Sequence, residues 1–143
     1  MIVLDTNVIS EPLKPKGALA VHAWLNAQIP ETLYTTTINI AELLAGVATL
    51  PTGKRRRELN IRLRATLSRL FGARVLAFDN AAAEAYAVIA EEAQRQGLVV
   101  PHDDGLIAAV ARAQGYAVAT RNVSNFAGGG VDVINPWKYA PPP

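Results

Sequence analysis

Ile2-Val3-Leu4-Asp5-Thr6-Asn7-Val8-Ile9-Ser10-Glu11-Pro12 is the stretch whose reading decides the architecture of this chain. Three apolar residues in succession read as a short buried strand, and the run stops on a carboxylate. Asp5 is therefore delivered to the edge of a sheet. Beyond it, Pro12 and Pro15 break any long helix between Ser10 and Gly17.

Outward from that strand, helical and strand patterns alternate. Ala18 to Ile29 places Val21, Trp24 and Leu25 on one helical face. Leu33-Tyr34-Thr35 is strand-like, and Thr37 is placed to cap a helix from Ile38 to Leu50, ended by Pro51-Thr52-Gly53. A helix from Lys54 to Phe71 follows, with Leu59, Leu63, Leu67 and Leu70 in one stripe and Arg55, Arg62 and Arg69 at heptad spacing along its flank. Val75 to Phe78 is the next strand, and Asp79 or Asn80 caps an alanine-rich helix reaching Gln96 and closed by Gly97. His102 and Asp103 stand ahead of a further helix that ends at Gln114 and Gly115. Tyr116 to Thr120 and Val131 to Ile134 complete the strands, separated by a loop with Asn125 and Phe126. Strands alternating with helices predict an α/β fold whose mostly parallel sheet is covered on both faces and binds ligands at the carboxyl ends of its strands. Asp5, Asp104 and Asn122 fall near that end.

Composition sets the outer bounds. A chain of 143 residues fits one domain, 1–143, with a short proline-rich tail from about residue 138. No apolar run reaches the ~18 residues of a membrane span and no basic leader precedes the first strand, so the expectation is a soluble, cytoplasmic protein with no membrane partner. The absence of cysteine excludes disulfides, thiolate zinc sites and cysteine nucleophiles. Net charge is only +2, yet Lys54, Arg55, Arg56, Arg57, Arg62, Arg64, Arg69 and Arg74 crowd one segment in which Glu58 alone opposes them. Acids gathered at the sheet edge and cations on a separate surface suit a polyanion.

Asp5, Glu42, Asp104 and Asn122 each lie at the edge of an expected element, where their oxygens face one crevice. Carboxylate and amide oxygens suit Mg²⁺ or Mn²⁺, which favour oxygen ligands and retain waters for substrate chemistry. Each also has a plainer reading: Asp5 as a strand end, Asp104 as a helix start, Asn122 as an Asx-turn, Asp103 and Asp79 as N-caps. Glu42, amid Ile40, Leu43 and Leu44, reads as a buried carboxylate that needs a cation partner. For Thr6 and Thr120 a positioning hydroxyl and a turn residue both stay open, as do a phosphate of the polyanion, an acidic neighbour and plain solvation for Arg121.

Taken together, Ile2–Pro12, Ala41-Glu42-Leu43-Leu44-Ala45-Gly46, Asp104-Gly105-Leu106-Ile107-Ala108-Ala109, Thr120-Arg121-Asn122 and Asn135-Pro136-Trp137 resemble a PIN-domain ribonuclease, and more narrowly a VapC-type toxin of a bacterial toxin–antitoxin pair in the FitB-like branch. The resemblance spans the chain in order. It implies a PIN-like three-layer α/β/α sandwich and a metal-dependent endoribonuclease that cleaves RNA phosphodiester bonds with metal-activated water. It also implies a cognate small antitoxin, a homodimer, and contact with operator DNA only through the antitoxin. Asp5, Glu42 and Asp104 match the family's three central acids, with Asp5 and Asp104 as direct metal ligands. The fourth family position is often aspartate and here is Asn122, so the site loses one negative charge; Thr6, Thr120 and Asp103 stand as additional site residues. Arg55, Arg62, Arg69 and Arg121 are the expected contacts to RNA or antitoxin. A non-catalytic RNA-binding or regulatory PIN-like module is the alternative. A haloacid-dehalogenase-type enzyme is disfavoured because Asn7 stands where its second aspartate is required, and a receiver domain because no lysine follows the late strands.

Overall fold

The computed structural model describes residues 1–143. Five parallel strands form one sheet in the order β3-β2-β1-β4-β5: β1 Ile2–Leu4, β2 Leu33–Thr36, β3 Val75–Leu76, β4 Ala117–Ala119 and β5 Val133–Ile134. The first strand is the central one. Val3 pairs with Tyr34 on one side and Val118 on the other. The chain steps outward from β1 to β2 to β3, then returns to the opposite side of β1 for β4 and β5. The point where strand order reverses therefore lies between the carboxyl ends of β1 and β4, the crevice in which open α/β sheets bind ligands.

Six helices cover the sheet: α1 Thr6–Ser10, α2 Leu19–Ala27, α3 Thr37–Ala48, α4 Lys54–Phe71, α5 Asn80–Gln96 and α6 His102–Gln114. Successive strand residues face opposite ways and seed two cores. Leu4 and Ala119 join Val8, Ile9, Val21, Trp24, Leu43, Leu63 and Phe71 from the first four helices. Val3 and Val118 join Ile89, Ile107, Ala108 and Phe126 on the α5–α6 side. The three-layer α/β/α arrangement follows from that alternation.

The expected leucine stripe on α4 holds, with Leu63 1% exposed and Leu59, Leu67 and Leu70 packed around the same core. Asp79 caps α5 by accepting a hydrogen bond from the Ala82 N–H at 2.9 Å. Other boundaries move. The chain turns helical directly after Asp5, because that carboxylate accepts the Thr6 N–H and caps α1. Thr36 rather than Thr37 caps α3, its hydroxyl accepting the Asn39 N–H at 3.2 Å. Asp103 is not an N-cap: Pro101 holds that position, and His102, Asp103 and Asp104 all sit in the first turn of α6. The outer strands shorten to two residues, since each pairs along one side only. Trp137, within a 3₁₀ turn at Pro136–Lys138, and Tyr139 just after it still pack on the first core, and Ala140–Pro143 are exposed.

Because Leu63 is the buried centre of the α4 stripe, Leu63→Ala should lower unfolding free energy by about 2 to 5 kcal/mol. Urea unfolding measures this. A loss below about 1 kcal/mol would mean that α4 is not anchored through this residue.

Candidate metal centre

The crevice is built around Asp5, only 3% exposed at the end of β1. A buried carboxylate is costly unless hydrogen-bonded, and this one is closely satisfied. Its Oδ1 accepts from the Thr6 N–H at 2.8 Å and the Asn39 amide at 3.1 Å; its Oδ2 accepts from the Thr120 hydroxyl at 2.7 Å. The Asn7 amide stands at 3.5 Å from both Oδ2 and the Thr120 hydroxyl.

Those donors are themselves oriented. Thr36 donates its hydroxyl to Asn39 Oδ1 at 2.7 Å, which turns the Asn39 Nδ2 toward Asp5 and toward Thr6 Oγ1, 3.0 Å away. The Thr6 hydroxyl can then donate onward to Glu42 Oε1 at 3.3 Å. On the other side, Thr120 accepts the Asn122 N–H at 3.0 Å, and Asn7 Oδ1 accepts the Arg121 N–H at 3.2 Å. Thr6 and Thr120, left open between two roles by the sequence, are both engaged by the carboxylate set.

Glu42 lies one helical turn beyond Asn39 on α3 and is exposed to the crevice rather than buried among its apolar neighbours. Ile40, Leu43 and Leu44 flank it in sequence without sharing its face. Its carboxyl pKa is raised, first by partial burial, then by the charges of Asp5, Asp103 and Asp104, against which the Thr6 hydroxyl bond acts. Asp104, in the first turn of α6, is raised in the same way: partial burial first, then Asp5 and Asp103, with the Asn125 amide at 3.0 Å pulling the other way. Its place at a helix N-terminus favours the charge, and burial outweighs that benefit. Asp5, Glu42, Asp103 and Asp104 thus share one field, three of them from different elements.

No three histidine, aspartate or glutamate side chains close into a complete ligand set by themselves. The donor chemistry still fits a hard cation: the groups gathered around Asp5 are carboxylates, hydroxyls and amides, and neighbouring carboxylates raise the pKa of Glu42 and Asp104. Magnesium is commonly held by one or two carboxylates with waters completing its octahedron. Asp5, Asp104 and Glu42 are the residues that could supply them.

The remaining expected site residues separate. Asn122 is exposed; its backbone meets Thr120 while its side chain caps nothing. Arg121 stacks over Trp137, 5.3 Å from the ring centroid, and its charge helps lower the pKa of the buried Glu11, a shift in which burial itself opposes the Ala18 N–H, Lys14 and Arg121. Arg55 and Arg62 line a crevice of about 500 Å³ that also contains Thr6 and Glu42. Arg69 does not join them; it borders a different cavity with His22 and Leu70. Sequence reasoning passed over Asn39, Asn7 and Asn125, and only the Thr36-to-Asn39 spacing at a helix start carried a trace of the first.

The chain matches the PIN domain over residues 2–127. It is 48% identical over 140 residues to "VapC ribonuclease Y4jK" of Sinorhizobium fredii, covering 98% of this chain and 100% of that protein. It is 44% identical to "Toxin FitB" of Neisseria gonorrhoeae, covering 96% of this chain and 99% of that one. Among solved structures, "FitAB bound to IR36 DNA fragment" superposes with a TM-score of 0.92 at 42% identity, covering 99% of each chain.

Glu42 supplies a test of the shared field. A carboxyl with a raised folded-state pKa destabilises the fold once ionised, so stability falls as pH rises from the ordinary glutamate value through the raised one. In EDTA at pH 7, Glu42→Gln should raise the unfolding temperature, and the gain should vanish as pH falls below that window. A gain independent of pH would remove charge repulsion as the cause.

Proposed function

This chain belongs to the PIN-domain family, among the VapC- and FitB-type toxins, and from that membership we propose that it is a divalent-metal-dependent endoribonuclease, the toxin of a toxin–antitoxin pair. The observation that carries the reading is the hydrogen-bonded burial of Asp5 at the strand-order reversal, beside Glu42 and Asp104, whose pKa values are both raised by partial burial and by the charges of Asp5 and Asp103. Carboxylates whose ionisation is opposed in this way gain when a cation offsets their charge, which suits the site to one.

In this reading Asp5 and Asp104 would hold Mg²⁺ or Mn²⁺, with Glu42 placed to act on water beside it. The ion, when bound, would supply charge neutralisation at the scissile phosphate and activation of the attacking water. Asp5, locked by Thr6, Asn39 and Thr120, fixes position; Asn125 orients Asp104. Glu42, with its raised pKa and exposure to the crevice, is the group free to accept a proton from the attacking water. Thr6, bonded between Asn39 and Glu42, orients that acceptor. Asp103 adds charge without a bond to the set.

The partners belong to the same reading: a small cognate antitoxin, operator DNA reached only through that antitoxin, and a second copy of the chain in a homodimer. Residues 1–143 act as a single PIN domain. No helix is long and apolar enough to cross a membrane, and we place the protein in the bacterial cytoplasm. A non-catalytic RNA-binding role draws on one observation, the absence of a self-sufficient three-acid ligand set, and cleavage assays separate the two.

Asp104→Asn preserves shape and can still accept from Asn125, so it should abolish magnesium-dependent cleavage of total RNA while leaving the unfolding temperature within a few degrees. Full cleavage by the purified variant would overturn the assignment. EDTA should silence the parent protein equally. Asp5→Asn is a less clean test, because a second amide would face donors and cost about 1 to 3 kcal/mol of stability.

Restoring the family's aspartate probes the fourth position. Asn122→Asp should reduce the magnesium concentration giving half-maximal cleavage. An unchanged titration would mean that this exposed side chain stands outside the ion's reach.

A further inference from the structure

We propose that the crevice between α3 and α4 seats an unstacked base of the RNA strand adjoining the scissile phosphate, with Arg55 and Arg62 holding the neighbouring phosphates. The proposal rests on the endoribonuclease reading and names where its substrate lies. The crevice, about 500 Å³, is continuous with the carboxylate set because Thr6 and Glu42 belong to both. Its floor is apolar, formed by Leu43, Val47, Leu59 and Leu63. Its rim is cationic where the strand must pass: Arg55 has no protein partner, and Arg62 spends one nitrogen on the Leu13 carbonyl at 3.1 Å, which holds the guanidinium over the opening with donors to spare. The acid on that rim, Glu58, is accompanied by Lys54 at 3.7 Å.

An apolar seat beside a cationic rim is what a splayed single-stranded nucleotide requires, since its base gains by leaving water and its phosphate by meeting arginine. A protein segment could use the same floor. RNA is favoured because the two arginines face the route to the carboxylates, and a polyanion uses both. Gly46 marks the seat. It lines the crevice from mid-α3, and a Cβ built there meets nothing within 4 Å, so a larger side chain enters open space rather than the core. Arg69, in a separate cavity on the far part of α4, is the internal comparison.

The test is fluorescence anisotropy of a mixed-sequence single-stranded RNA dodecamer, in EDTA so that binding is read without cleavage, across a salt series. Gly46→Leu should weaken binding at least tenfold, and an abasic dodecamer should bind the parent less well yet bind Gly46→Leu no worse than the intact one does. Arg55→Gln with Arg62→Gln should lower affinity and flatten the slope of log affinity against log salt by about 1.4, roughly 0.7 for each phosphate contact on a single strand. Arg69→Gln should match the parent. Gly46→Ala, which adds one methyl in open space, together with thermal melts, shows that α3 stays folded. Parental affinity in both the Gly46→Leu and the double-arginine variant overturns the proposal, as does a loss confined to binding of the cognate antitoxin. If the dodecamer binds through the crevice but is not cut when magnesium is added, the crevice assignment stands and the nuclease reading falls. If the parent does not bind it at all, both fall.

Discussion

A carboxylate is buried at the end of the central strand, and the elements around it are arranged to satisfy its oxygens. Asp5 ends the middle strand at the point where strand order reverses, so its neighbours come from opposite halves of the chain. Thr6 belongs to α1, Asn39 to α3 and Thr120 to the end of β4; each gives Asp5 a hydrogen bond. Desolvating one charge would cost several kcal/mol were those donors missing. The same bonds that offset that cost pin three elements at one edge. Fold and site are therefore a single constraint: a chain that failed to bring Thr120 beside β1 would lose both the carboxylate's partner and the crevice.

The parts of the structure that could be read from sequence were those written in local pattern. A three-residue apolar run ending in aspartate, a leucine stripe with heptad arginines, and glycines after two alanine-rich helices each state their element within a few residues. Asp5, Glu42 and Asp104 could be named because the stretches around them carry the family resemblance. The amide partners could not. Asn39 and Asp5 are 34 positions apart, and Asn125 and Asp104 are 21 apart, so nothing in either neighbourhood signals that one side chain meets the other. Glu42 was misread for a related reason. Apolar residues at two positions before and at one and two after surround a helical residue in sequence while pointing 100° or more away from it.

The arginine row shows where periodicity misleads by being nearly right. Residues seven apart on an α-helix drift about 20° around the axis and advance about 10 Å along it. From Arg55 to Arg69 that amounts to roughly 40° and 21 Å. The row is one stripe on a helical wheel and two places on the protein. Its first two members overlook the crevice that holds Glu42, and the third looks into the cavity beside His22.

Charge then sets an order of events along the crevice. At one end, Arg55 and the spare donors of Arg62 attract a polyanion; at the other, Asp5 and Asp103 raise the pKa of Glu42 and Asp104, and the acids would repel a phosphate outright. A strand can be captured at the arginine end without any ion, because those contacts need only the phosphates. Its scissile phosphate can approach Asp5 and Asp104 only after their charge has been offset. In the proposed reading capture and cleavage are thereby separable: the α4 side would govern how tightly RNA is held and how strongly salt competes, while a bound divalent cation would govern whether the strand reaches the acids at all. In the proposed reading Asn122 would act on the second step alone. An amide in place of the family's frequent aspartate leaves one less charge to attract a cation and one less to repel the phosphate, two effects of opposite sign on the same step.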